Sequence, residues 1–204
     1  MYHAYADTPE SIRSTVRDMA SRDGVVGVFL CVTPADGIVD WLDPFLRRLD
    51  VTVFGALFPE VIYDGENRSH GAVVCGLLSE PHVTTIPELS APDRDYAAHL
   101  DAELPLEGYE TAFVFADAYS ANIQQFIESL FRTYGVELNY IGGGAGALEM
   151  EQRPCLFTNE GVIEDSAVLA AIEAPMTLGV KHGWREIAGP FRVTDTDGTT
   201  LWGL

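Results

Sequence analysis

The chain has 204 residues, 47% of them hydrophobic, enough to bury a sizeable core in one domain or two small fused lobes. Its 31 acidic residues against 12 basic ones give a formal net charge of −19, spread along the chain, which makes nucleic acid a poor partner. No apolar run approaches the roughly 20 residues of a membrane helix, and the N-terminus lacks the basic-then-apolar pattern of a signal peptide, so the expected location is the cytoplasm, with no membrane partner.

Cys31, Cys75 and Cys155 are far apart and embedded in apolar runs, the pattern of buried reduced thiols and not of a disulfide framework or a metal site. Lys181 is the only lysine. An acidic, lysine-poor surface suits a protein adapted to high salt, where a Debye length of about 3 Å at molar ionic strength screens the mutual repulsion of the carboxylates.

In chain order, Thr8-Pro9-Glu10 places a cap residue before a proline at the first helical position, and Ile12, Val16, Met19 and Ala20 follow at helical spacing up to Gly24. Val25–Val32 reads as a buried strand, Ile38–Leu49 as a helix and Val51–Leu57 as a second strand. Short strands are expected at Val61–Tyr63, Ala72–Leu78 and Val83–Leu89, separated by Gly65, Gly71 and Pro81. Ser90–Gly108 reads as a linker with a short helix near Tyr96–Leu100.

Beyond it the order begins again, with a strand at Ala112–Ala116, a helix at Ala121–Tyr134, a strand at Val136–Ile141 and another at Cys155–Thr158. Val53-Phe54-Gly55-Ala56 aligns with Tyr140-Ile141-Gly142-Gly143, and Gly71–Gly76 aligns with Asp165–Ala170. The expected fold is therefore α+β, a single domain over residues 1–204 built from two tandem strand-helix-strand-strand-strand repeats, about 24–90 and 109–188. They are expected to pack as one pseudo-twofold module with mostly antiparallel or mixed sheet and amphipathic helices on the outer faces.

The most conspicuous segment for chemistry is Gly142-Gly143-Gly144-Ala145-Gly146-Ala147, expected to follow the strand ending at Ile141. It contains the Gly-x-Gly-x-x-Ala of a dinucleotide fingerprint, yet Leu148–Gln152 is too short for the crossover helix such a loop opens, so a nucleotide-dependent oxidoreductase ranks only as an alternative. The five histidines show no metal-binding spacing, and no nucleophile elbow is present, so no metal and no catalytic residue is assigned. His182 stands out because an imidazole, a glycine and an indole (Trp184) follow an apolar stretch.

Tyr140-Ile141-Gly142-Gly143-Gly144-Ala145, Phe157-Thr158-Asn159-Glu160-Gly161, Ser166-Ala167-Val168-Leu169, His182-Gly183-Trp184 and Gly189-Pro190-Phe191-Arg192-Val193-Thr194 together resemble, in order and spacing, the second half of the FIST N-terminal domain. Phe54-Gly55-Ala56 and Gly71-Ala72-Val73-Val74 resemble its first half. Glu186 stands where the family commonly has proline after the Gly-Trp pair, and Ala147 where an acidic residue is often found.

The resemblance implies a sensory, non-enzymatic domain in signal transduction that binds a small, amino-acid-like or other anionic ligand. Its implied partners are a C-terminal FIST module beyond Leu204 or a signalling protein. A haem-binding nitric-oxide sensor with His182 as axial ligand is the alternative; otherwise no cofactor is implied. The candidate ligand-binding residues are Gly142, Gly143, Gly144, His182, Trp184 and, as a facing wall, Phe58. Glycines there would admit a ligand to backbone N–H groups, and Trp184 would supply an apolar wall.

Overall fold

The computed structural model describes residues 1–92, 94–104, 108–148, 151–179, 183–197 and 200–203. The chain opens with strand β1 (Tyr2–Ala6), which the sequence reading did not expect, and helix α1 (Pro9–Ala20). The Thr8 side chain accepts from Ser11 N and starts α1 at Pro9, and Ile12, Val16 and Met19 bury one stripe of it. Then come β2 (Gly27–Val32), α2 (Ile38–Leu46), β3 (Thr52–Leu57), the hairpin β4 (Val61–Tyr63) and β5 (Glu66–Arg68), β6 (Ala72–Leu77) and β7 (His82–Pro87). After α3 (Tyr96–Glu103) the order strand, helix, strand, hairpin, strand returns as β8 (Thr111–Asp117), α4 (Ile123–Tyr134), β9 (Asn139–Ala145), β10 (Leu156–Thr158), β11 (Gly161–Ile163) and β12 (Ser166–Ile172). A hairpin, β13 (Asp195–Asp197) and β14 (Thr200–Gly203), ends the described chain.

Two mixed sheets form. The first runs β1-β6-β2-β3-β10-β11 and the second β7-β12-β8-β9. In each, one strand-helix-strand crossover makes the single parallel pair, β2 with β3 and β8 with β9, while β6 and β12 pair antiparallel beside them. The expected α+β class is the one observed, with helices on the outer faces.

The units exchange strands. β7, from the first unit, pairs with β12 of the second, and β10, from the second, pairs with β3 of the first. The sheets face each other across a cluster of phenylalanines: Phe29 stacks on Phe54 in its own sheet and meets Phe113 and Phe115 of the other at centroid distances of 5.3 and 5.4 Å. Side chains alternate along β2, so Val28, Leu30 and Val32 point to the opposite face, where Arg13 and Arg17 of α1 lie over Trp41 and Phe45 of α2. On the outer face of the second sheet, Tyr96, Leu100, Phe126, Leu130 and Tyr134 of α3 and α4 pack over Ala112, Val114 and Leu169. β8 and β12 are covered on both faces, which is why they read as unbroken apolar runs.

Three boundaries differ from expectation for physical reasons. The segment read as a linker is packed: Tyr96 and Leu100 are buried in α3, and the Tyr96 hydroxyl donates to Leu89 O. α2 stops at Leu46, where Arg47 N–H closes on Asp43 O. β9 runs on to Ala145, so the glycines lie within the strand and not beyond it.

Candidate functional site

The carboxyl ends of β2 and β3 open side by side, the place where parallel strands joined by a helix leave a crevice. From β2 the chain turns through Thr33, whose N–H and hydroxyl both donate to Gly71 O, and through Pro34 to Gly37. Gly37 takes φ 68°, a left-handed conformation that glycine adopts without a Cβ penalty, and then starts α2 without a side-chain acceptor at its cap. The end of β3 is clasped by the second unit: Gly146 N donates to Leu57 O at 2.9 Å, and Leu57 N donates to Cys155 O at 2.7 Å.

Between these elements lies a cavity of about 500 Å³. Its wall includes Asp36, Gly37 and Asp40 from the first unit and Gly146, Glu151, Arg153 and Cys155 from the second. Arg153 Nη2 is 2.7 Å from Glu151 Oε2, an exposed pair. Both signs of charge therefore face one volume, beside the positive end of the α2 dipole. Burial, and then the charges of Asp117 and Glu164, push the Cys155 thiol up to about 12, so the free thiol stays protonated at neutral pH. Among the described residues no group of three or more His, Cys, Asp or Glu side chains gathers at metal-binding distance.

The same place in the second unit is filled. Asp117, at the end of β8, is fully buried; its Oδ2 accepts from Asp165 N at 2.8 Å and from Gln152 Nε2 at 3.1 Å, and its Oδ1 accepts from Tyr119 N at 3.0 Å. Asp165 Oδ1 accepts in turn from Ser90 N, Ser90 Oγ and Ser120 Oγ. Burial raises the Asp165 pKa, but the bonds from Ser90, Ser120 and Gln152 outweigh it and hold the carboxyl below its ordinary value. Asp165 has φ 45°, a conformation aspartate tolerates better than most residues because its carboxylate bonds locally.

The structure separates the residues singled out in the sequence. Gly142, Gly143 and Gly144 line a shallow apolar groove between β9 and α4, away from the cavity; only the end of the run, Gly146 and Ala147, reaches it. Gly142 is needed where it stands, because a Cβ there would collide with the Val114 carbonyl of β8. Phe58 is half-buried and meets the Phe115 ring edge-on at 5.7 Å, a core contact between the sheets. Trp184 is 84% exposed and lines neither the cavity nor the groove. His182 lies outside the described residues, and the axial-ligand expectation with it. The glycine run opens no helix: it is strand through Ala145, and no described residue from Gly146 to Cys155 is helical, so the context of a dinucleotide fingerprint is not formed.

The sequence reading passed over Asp36, Asp40, Glu151 and Arg153. A signal was present in Thr33-Pro34-Ala35-Asp36-Gly37, a turn at the carboxyl end of a strand entering a crossover helix, where α/β units place their ligands.

A family model for the FIST N domain matches residues 18–204. The chain belongs to the FIST N domain family. That is a family associated with sensory signal transduction and not known for catalysis, which agrees with the sensory role the resemblance implies. The FIST N match begins inside α1, after β1. No curated protein and no solved structure matches the chain. No described helix of this FIST N domain is long and apolar enough to cross a membrane.

Proposed function

We propose that this FIST N domain is a small-ligand sensor whose ligand occupies the cavity at the carboxyl ends of β2 and β3, and that the ligand is a zwitterion of amino-acid type. The observation that carries this reading is the mixed lining of that cavity: Asp36 and Asp40 at the α2 N-terminus and the Arg153–Glu151 pair of the second unit line one volume of about 500 Å³. An α-carboxylate suits Arg153 and the helix end, and an α-ammonium suits the carboxylates. The volume lies within the range of small-molecule sites.

Both units contribute to the wall, so occupancy would tie the Gly146–Cys155 segment to α2. Through Gln152 and Asp117 that segment is also bonded to Asp165, which holds Ser90 at the start of the connection to α3. A ligand that draws Arg153 inward would therefore bias the connection between units, and a further FIST module or a signalling protein would read the change. A pseudo-twofold relation of the units, with descent from an internal duplication, belongs to the same reading.

The test is calorimetric titration of the purified protein in concentrated KCl with a panel of free amino acids, and with NAD and NADP. The expected outcome is saturable binding of at least one amino acid, weakened at least tenfold by Arg153→Ala, with neither dinucleotide bound. Binding unaffected by Arg153→Ala would move the ligand out of this cavity. Dinucleotide binding lost on Gly144→Val would restore the oxidoreductase alternative.

A further inference from the structure

β3 and β9 are the second strands of the two parallel pairs, but only β3 is covered on its far side. There β10 lies antiparallel, with Leu156 opposite Ala56 and Phe157 opposite Gly55. The Phe157 ring lies against Gly55, so close that a Cβ at Gly55 would come within 2.6 Å of Cε2. Among the described residues no strand pairs with the far side of β9, which ends its sheet and presents backbone groups as a template for another strand. Beside that edge, Ile123, Ile127 and Phe131 of α4 and the glycines of β9 line an apolar groove of about 260 Å³. Among the described residues no charged side chain lines it, on a chain whose net charge is −19.

The chain also carries a segment of matching chemistry. Ile187, Phe191, Val193, Leu201 and Trp202 are 97, 62, 51, 49 and 69% exposed. Residues 183–197 and 200–203 hold two arginines (Arg185, Arg192) against three acids (Glu186, Asp195, Asp197), a net of −1, so this stretch approaches another acidic chain with little repulsion. Its hairpin β13–β14 carries Leu201-Trp202, as the β10–β11 hairpin carries Leu156-Phe157.

We propose that the β9 edge receives the β13–β14 hairpin of a second copy of this chain, β14 lying antiparallel to β9 with Leu201 and Trp202 taking the places that Leu156 and Phe157 hold on β3. The exchange is reciprocal, so two hairpins seat in two grooves. A buried aromatic side chain covers roughly 150–250 Å². The reciprocal exchange buries two Trp202 and two Leu201 side chains together with the paired backbone that carries them. The backbone ladder fixes direction, and the apolar pockets fix register.

The test is the mass in solution by light scattering in concentrated KCl, for the wild type, Trp202→Ser and Gly143→Lys. Trp202 is exposed, and a side chain at Gly143 meets nothing within 4 Å, so both variants keep the fold, as circular dichroism will check. The expected result is a wild type of twice the 22.3 kDa chain mass and two variants of single mass. A monomeric wild type, including one that buries Trp202 against its own β9, overturns the proposal, as does a dimer that withstands either substitution.

Discussion

The two parallel strand pairs share a pairing scheme and differ at both of their margins. Leu30 opposite Gly55 is the fourth pair of β2/β3, and Val114 opposite Gly142 is the fourth of β8/β9; at both, a Cβ would strike the neighbouring carbonyl oxygen. The lateral edge of β3 is closed by β10, while that of β9 is open. The carboxyl end of β2 opens onto a cavity, whereas that of β8 is filled by Asp117 and Asp165. In the first unit the corresponding contact is neutral, with Thr33 donating to Gly71 O. One scaffold thus yields a hollow where the turn partners are small and a sealed polar knot where they are carboxylates.

The largest expected effect tests whether the closed and open edges differ mechanically. Gly55→Ala forces a methyl between the Leu30 carbonyl and the Phe157 ring in a strand held on both sides, so we expect a loss of about 4 kcal/mol or more and little soluble protein. Gly142→Ala meets the same obstacle from one side only, and β9 is free to shift outward, so the expected loss is about 1–3 kcal/mol. Denaturant melts of the two variants decide it; equal losses would show that the open edge gives β9 no freedom.

Next in size is the sealed knot. Asp117→Asn keeps the shape but turns an acceptor into a donor facing Asp165 N–H and the Gln152 amide, at a side chain that is itself fully buried. We expect a loss of about 2–3 kcal/mol by the same melts. Thr33→Val, at the matching place in the first unit, removes one neutral bond to Gly71 O and is expected to cost about 1 kcal/mol. If the two substitutions cost the same, the carboxylate knot is no stronger than the neutral contact it parallels.

Salt probes what the units have in common. A net charge of −19 predicts a melting temperature that rises by several degrees or more between dilute buffer and molar KCl, as screening removes repulsion between carboxylates. Because Phe29 and Phe54 pack against Phe113 and Phe115 across the sheets, calorimetry should record one transition at every salt concentration. Two separate transitions would split the composite core, and an unchanged melting temperature would dismiss the high-salt adaptation.

Much of this fold was legible because its signals are local. Thr8-Pro9 starts α1 through a reciprocal capping box with Ser11 and one fixed φ, and the apolar runs at 27–32 and 111–117 follow from strands covered on both faces. The glycine run misled because glycine commonly marks a turn, whereas Gly142 is demanded by the Val114 carbonyl of the neighbouring strand. β1 escaped because Tyr2 and His3 are exposed at a sheet margin and the strand is defined only by pairing with Ala72–Gly76, some seventy residues away. Of the cavity, only the wall at Thr33–Gly37 left a signal in the sequence, and the wall from the second unit left none. Asp36 and Arg153 line one cavity only because β10 crosses to β3, and no local pattern announces an exchange of strands between units.

The smallest effect concerns the ionisation of the knot. Asp165 has a folded pKa below its unfolded value of about 3.9, because the bonds from Ser90, Ser120 and Gln152 outweigh the burial that raises it. A depressed acid contributes stability that is fully present above its unfolded pKa and is lost as pH falls through its folded one. The contribution is therefore constant at neutral pH and fades below about pH 4, within the wider acid destabilisation of a carboxylate-rich chain. Ser120→Ala removes one donor to Asp165 Oδ1, so it brings the folded pKa closer to the unfolded one. The expected signature is a melting temperature lower than wild type by a few degrees at pH 6, with the gap narrowing as both proteins are taken below pH 4. Thr33→Val, which touches no carboxylate, should instead keep a constant offset across the same range. A gap for Ser120→Ala that persists unchanged at low pH would mean that the hydroxyl supports the turn through packing, and that the second unit is sealed by shape and not by charge.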